Sequence, residues 1–172
     1  INNIGRSCAL CSYQSCNREP LDWRAECVIA AREIYEMQGD RIRVCMSGGI
    51  DSEIVAESFR LARIPFTAAI LRFKGDTNFH DISWALAYCQ KHNIKYEIYD
   101  LDTESFIQSA EFYEIAYRSG CIAPGIVFQL KLAQLLEEKK YYPVIGAGDV
   151  YLKKIEDFWF LSHSELYLSL SR

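Results

Sequence analysis

Residues 66–73, Phe-Thr-Ala-Ala-Ile-Leu-Arg-Phe, form a nearly continuous apolar run. Such a run suits a strand buried on both faces, as in a parallel sheet covered by helices. Its surroundings repeat the theme. Ile42–Met46, Tyr96–Leu101 and Pro143–Ala147 also read as short strands, and Phe158–Leu161 as a fifth. Between them lie helix-like patterns over Glu53–Arg63, Asn78–His92, Thr103–Ser119 and Ile126–Lys140. Pro65 breaks the first of these. A further helix is expected over Leu21–Gln38, with Asp22 as N-cap and Gly39 as terminator. Strand and helix in alternation predict an α/β fold: a doubly wound, mainly parallel, five-stranded sheet with helices on both faces. The polar stretch Tyr151–Asp157 is expected to be a mobile loop.

The chain has 172 residues, half of them hydrophobic, enough for one domain with a core of its own. Residues 1–20 read as a cysteine-containing extension and 21–172 as the domain. The net charge of −4 gives no general attraction to nucleic acid. Apolar runs are too short to span a membrane, and the first residues lack a signal-peptide layout. There are seven cysteines. An odd number, several within helical or strand patterns, reads as free thiols in a reducing compartment, hence a cytoplasmic protein. Cys8, Cys11 and Cys16 are spaced closely enough to hold a metal, but a closed zinc site needs a fourth ligand.

The chemistry concentrates in Ser47-Gly48-Gly49-Ile50-Asp51-Ser52, which joins a strand to a helix. In open α/β sheets ligands sit beyond the carboxyl ends of strands. Two glycines let several amides converge on one anion, and the following helix adds its N-terminal partial charge. Ser47 and Ser52 supply hydroxyls. A carboxylate at Asp51 would repel phosphate unless a divalent cation bridges them, an arrangement that suits magnesium. The alternative is a tight turn with a helix-capping acid. The loop lacks the ending of a Walker motif and the third glycine of a dinucleotide fingerprint.

Ser-Gly-Gly-Ile-Asp-Ser resembles the SGGxDS signature of the PP-loop, or N-type, ATP pyrophosphatases. That superfamily includes asparagine synthetase domains, GMP and NAD synthetases, tRNA thiolation and lysidine enzymes, and phosphoadenylylsulfate reductases. The resemblance implies the HUP, adenine nucleotide alpha-hydrolase-like, fold. It implies ATP cleavage between the α and β phosphates, with ATP and Mg2+ as cofactors. Ser47, Gly48, Gly49, Asp51 and Ser52 would hold the pyrophosphate part, and Asp51 the metal. Adenine would lie near Ile70, Leu71 and Arg72, its edge read by backbone groups.

Residues 144–154, Val-Ile-Gly-Ala-Gly-Asp-Val-Tyr-Leu-Lys-Lys, resemble the glycine-rich acidic turn of the asparagine synthetase branch, without its Asp-Glu pair. On that reading Gly148 adjoins the nucleotide and Asp149 is either a second magnesium ligand or a turn residue. Arg72, Lys153 and Lys154 are candidates for neutralising charge on the leaving group, against ordinary solvated side chains. Asp76, Asn78, His80 and Asp81, with Gly120–Gly125, are candidates for lining the cleft. The leading expectation is adenylation of a small-molecule carboxylate or carbonyl acceptor, followed by amidation. An ammonia- or sulfur-donating partner protein and a homo-oligomer are compatible with it. The alternatives are nucleobase or tRNA modification, sulfur transfer, and a non-catalytic ATP- or AMP-binding module.

Overall fold

The computed structural model describes residues 18–119 and 123–146, and the backbone alone of 150–155 and 158–163. Helix α1 (Trp23–Gln38) leads into β1 (Ile42–Cys45). Then follow α2 (Ile50–Leu61), β2 (Thr67–Phe73), α3 (Phe79–Lys91) and β3 (Lys95–Leu101). Helices α4 (Thr103–Ile107), α5 (Ala110–Ser119) and α6 (Pro124–Glu138) precede β4 (Tyr142–Ile145). The Asp22 carboxylate caps α1 by accepting from the Ala25 amide at 3.0 Å. Gly39 ends that helix at φ +57°, a left-handed conformation that glycine adopts without strain.

The four strands pair in parallel in the order β3-β2-β1-β4. Alternation along the strands splits the core. Val44, Ala68 and Ile70 pack with Ala31, Phe59 and Ile82 from α1, α2 and α3. Cys45, Ala69 and Tyr99 pack on the other face with Leu132 and Leu136 of α6. This is the expected α/β architecture with helices on both sides, and the expected strand burial follows from it.

Three expectations need correction. The parallel sheet has four described strands, because the fifth candidate, Phe158–Leu161, lies within β6 (Phe158–His163) of a separate antiparallel hairpin. Its partner β5 (Val150–Ile155) occupies the stretch expected to be a mobile loop. Finally, Thr103–Ser119 is two helices, broken at Gln108–Ser109, where Ser109 Oγ donates to the Phe106 carbonyl at 2.6 Å. A serine that bonds locally in this way competes with helix continuation.

Candidate functional site

The loop from Ser47 to Gly49 leaves the carboxyl end of β1, a strand with neighbours on both sides. Gly48 has φ +92°. A Cβ there would meet the backbone carbonyl of Asp81 in α3, so only glycine fits. Gly49 occupies the N-cap position of α2. The Ser52 hydroxyl is buried; it donates to the Gly49 carbonyl at 2.8 Å and accepts from the Ser47 amide at 3.3 Å. The Ser47 hydroxyl accepts from the Gly49 amide at 3.3 Å. These bonds fold the loop around the start of α2, whose first amides have no acceptor within the helix. The opening of α2 is therefore available to an anion.

Asp51 is exposed in the first turn of α2. Its backbone carbonyl is packed against Gly146, just past β4, where a Cβ would come within 2.5 Å of it. Sequence reading passed over Gly146. Its signal was present: a glycine directly after a strand, at the carboxyl edge that carries the loop.

Beside the loop lies a cavity of about 310 Å3. Ser47 and Ser52 form one side, Asn78 and Asp81 of the α3 entry another, and Phe128, Gln129 and Leu132 of α6 a third. Leu71 and Phe73 of β2 and Cys45 and Met46 at the end of β1 supply apolar floor. Gly125 belongs to the stretch expected to line the cleft, whereas Phe128, Gln129 and Leu132 of α6 were missed from sequence. All four share one helix face, and Gln129 is the polar interruption on it. Burial pushes the Cys45 thiol up to about 12, which keeps it protonated and poorly nucleophilic at neutral pH.

Asn78 has a specific task. Its Oδ1 accepts from the Phe73 amide at 2.9 Å, and its Nδ2 donates to the Leu71 carbonyl at 3.0 Å. The carboxamide thus closes the inner backbone edge of β2 beyond the end of its pairing with β1.

Other candidates lie elsewhere. Ile70 is fully buried in the α1–α3 face of the core. Arg72 lines a different, outer cleft; its guanidinium pairs with Asp100 at 2.6 and 3.0 Å and approaches Asp76 at 3.9 Å. That pairing raises the Arg72 pKa and lowers that of Asp100. His80 is exposed, 3.3 Å from the Asp81 carboxylate. Lys153 and Lys154 fall on β5, of which only the backbone is described, opposite Phe160 and Trp159. Gly148, Asp149, Gly120, Cys121, Cys8, Cys11 and Cys16 lie outside the described residues. Among the described residues no cluster of three or more acidic, histidine or cysteine side chains forms a metal cage. A lone exposed Asp51 in the first turn of α2 is compatible with magnesium, which takes one or two carboxylates and fills the rest of its shell with ligand oxygens and water. No single helix among the described residues is long and apolar enough to cross a membrane.

No protein-family model and no curated protein matches the chain. Solved structures do. The NH3-dependent NAD synthetase from Campylobacter jejuni subsp. jejuni NCTC 11168, in complex with the nitrate ion, aligns with a TM-score of 0.53 and 17% identity, over 74% of this chain and 57% of that one. NMN synthetase from Francisella tularensis aligns with a TM-score of 0.47 and 17% identity, over 71% of this chain and 51% of that one. The chain thus spans little more than half the length of either structure. The likeness to the Campylobacter protein is one of fold.

Proposed function

We propose that the chain is an ATP pyrophosphatase of the PP-loop type, which adenylates a small-molecule acceptor and releases pyrophosphate. One observation carries the reading: the Ser47–Ser52 loop starts at the end of β1, takes a shape that only Gly48 permits, and opens beside a largely apolar cavity. The likeness in fold to a synthetase supports it.

In this reading the amides at the start of α2 hold the β and γ phosphates, and the Ser47 hydroxyl becomes a further donor by turning from Ser52, whose own hydroxyl stays on the Gly49 carbonyl. Asp51 is the residue that would hold magnesium, which supplies neutralisation of phosphate charge. The adenosine part extends into the apolar cavity between β2 and α6. An acceptor oxygen attacks the α-phosphorus, the bond from that phosphorus to the bridging oxygen breaks, and pyrophosphate leaves with the electron pair. The adenylated acceptor is then open to a nucleophile, which displaces AMP. Amidation is the favoured second step; the ammonia named for the Campylobacter protein is in keeping with it. Sulfur transfer through the cavity thiol is disfavoured, because burial holds Cys45 protonated. Lys153 and Lys154 are the cations proposed to meet the leaving group, and Asp149 a second acid for the metal. Arg72 could join them only by leaving Asp100.

The loop has no lysine between Met46 and Ser58, unlike loops that stabilise a transferring γ-phosphoryl group. Products from ATP labelled separately in the α and γ positions test the reading. AMP and labelled pyrophosphate are expected with candidate acceptors. ADP with a phosphorylated acceptor, and no AMP, would overturn it.

A further inference from the structure

The cavity beside the Ser47–Ser52 loop holds few polar side chains, and most are already engaged. The Ser52 hydroxyl donates to the Gly49 carbonyl, and both polar atoms of Asn78 are bonded to the β2 backbone. The Asp81 carboxylate lies 3.3 Å from His80 and offers acceptors alone. Gln129 stands apart. It lines the cavity from α6, and its carboxamide has no hydrogen-bond partner among the described residues. In pockets with mainly apolar walls, a few placed polar groups set orientation and specificity. We propose that Gln129 reads the base of the nucleotide, its carboxamide presenting a donor and an acceptor side by side to the base edge. This rests on the assignment of the cavity to the adenosine part.

The need for such a reader follows from β2. Adenine carries its N6 donor beside ring nitrogens that only accept, so whatever reads it must set an acceptor next to a donor. The β2 backbone near Ile70, Leu71 and Arg72, the reader expected from the sequence, is engaged on both edges. Its outer edge pairs with β3 from Thr67 to Phe73. On the inner edge the Phe73 amide, with a single proton to give, is bonded to Asn78 Oδ1, and the Leu71 carbonyl accepts from Asn78 Nδ2. The donor for a base must therefore come from another wall of the cavity. Gln129 supplies donor and acceptor on one planar group, the pairing by which a glutamine recognises adenine in DNA. Phe73 and Phe128, their ring centroids 5.1 Å apart, give the same cavity aromatic surface on which a base can stack.

Calorimetric titration of the full chain with ATP, GTP and inorganic tripolyphosphate, each with magnesium, tests the proposal. Gln129 is exposed, so it can be changed without opening the core. Gln129→Leu should lower ATP affinity about tenfold, as loss of a hydrogen-bonded pair implies, and leave tripolyphosphate affinity unchanged. Gln129→Glu is the decisive variant. A carboxylate only accepts; it suits the N1 and N2 donors of guanine and is repelled by the ring nitrogens beside adenine N6. The ratio of ATP to GTP affinity should therefore fall at least about tenfold from its wild-type value, whatever the added charge does to both. Equal weakening of ATP and tripolyphosphate by Gln129→Leu would overturn the proposal. A wild type that binds no ATP overturns the functional reading and the proposal with it. ATP binding with an unmoved ratio in Gln129→Glu overturns the proposal alone. Circular dichroism confirms that each variant is folded.

Discussion

The carbonyl oxygen of Asp81 lies 1.9 Å from where a Cβ on residue 48 would be, and Gly48 holds φ +92°. The Ser47–Ser52 loop and the entry of α3 therefore share one space. Gly48→Ala meets both a left-handed backbone and a backbone collision. It should destabilise the protein by about 3 kcal/mol. For a chain of this size that is roughly 6–12 °C in melting temperature. Calorimetric scanning checks it; an unchanged midpoint would mean that the loop does not pack on α3.

Asp51 is exposed, so its removal should leave folding intact while weakening nucleotide binding. Titration calorimetry of wild type, Asp51→Ala and Asp51→Asn, each with and without magnesium, separates the two. The wild type should gain at least about tenfold in ATP affinity from magnesium, as one lost charge-assisted contact implies. Both variants should lose that gain. Equal affinities in all conditions would remove the metal-bridging role.

Asn78→Asp keeps the acceptor for the Phe73 amide but sets a carboxylate oxygen against the Leu71 carbonyl, where Nδ2 now donates. The expected cost is about 1–3 kcal/mol, from an unmet buried acceptor facing another. Chemical denaturation at pH 7 measures it. ATP affinity should fall in parallel, because the same backbone edge floors the cavity.

Acid titration offers a separate check. Bonds from Arg60 and from the Tyr88 hydroxyl hold the Glu57 carboxyl down to about 2, from 4.5. A lowered folded-state pKa contributes stability that is complete above the unfolded value and is lost as pH falls through the folded one. The stability difference between wild type and Glu57→Gln should therefore be constant above about pH 5 and shrink between pH 4.5 and 2. Glu57 is about one-third exposed, so the difference is at most about 1 kcal/mol.

What the sequence disclosed follows physical range. Asp22 and Ser52 bond to residues three positions away, and the capping by Asp22 was legible from local spacing; the need for Gly48 set by Asp81 was not. The burial of Ala68–Ile70 was legible too, since a strand covered on both faces must be apolar throughout. Asn78 was visible as a polar residue at a helix start and as a candidate for lining the cleft. Yet it makes no side-chain cap there and instead closes β2, a contact that only tertiary packing defines. Gln129 lines the same cavity as Ser47 from a distant part of the chain, and Gly146 showed locally only as a glycine after a strand, without its contact to Asp51. The separation of Phe158–Leu161 from the main sheet was equally hidden, because a strand's apolar content does not name its partner.

The placement of β1 between β2 and β4 orders events during synthesis. Arg43, Val44 and Cys45 can all pair with β2 soon after it emerges, but their other edge waits for Pro143, Val144 and Ile145 of β4. Gly146, which seats the Asp51 carbonyl, arrives only with that last pairing. A nascent chain halted before residue 146 therefore carries the whole Ser47–Ser52 motif with the second side of its support missing. The support of the Ser47–Ser52 loop is thus a property of the finished sheet, complete only once β4 has been translated.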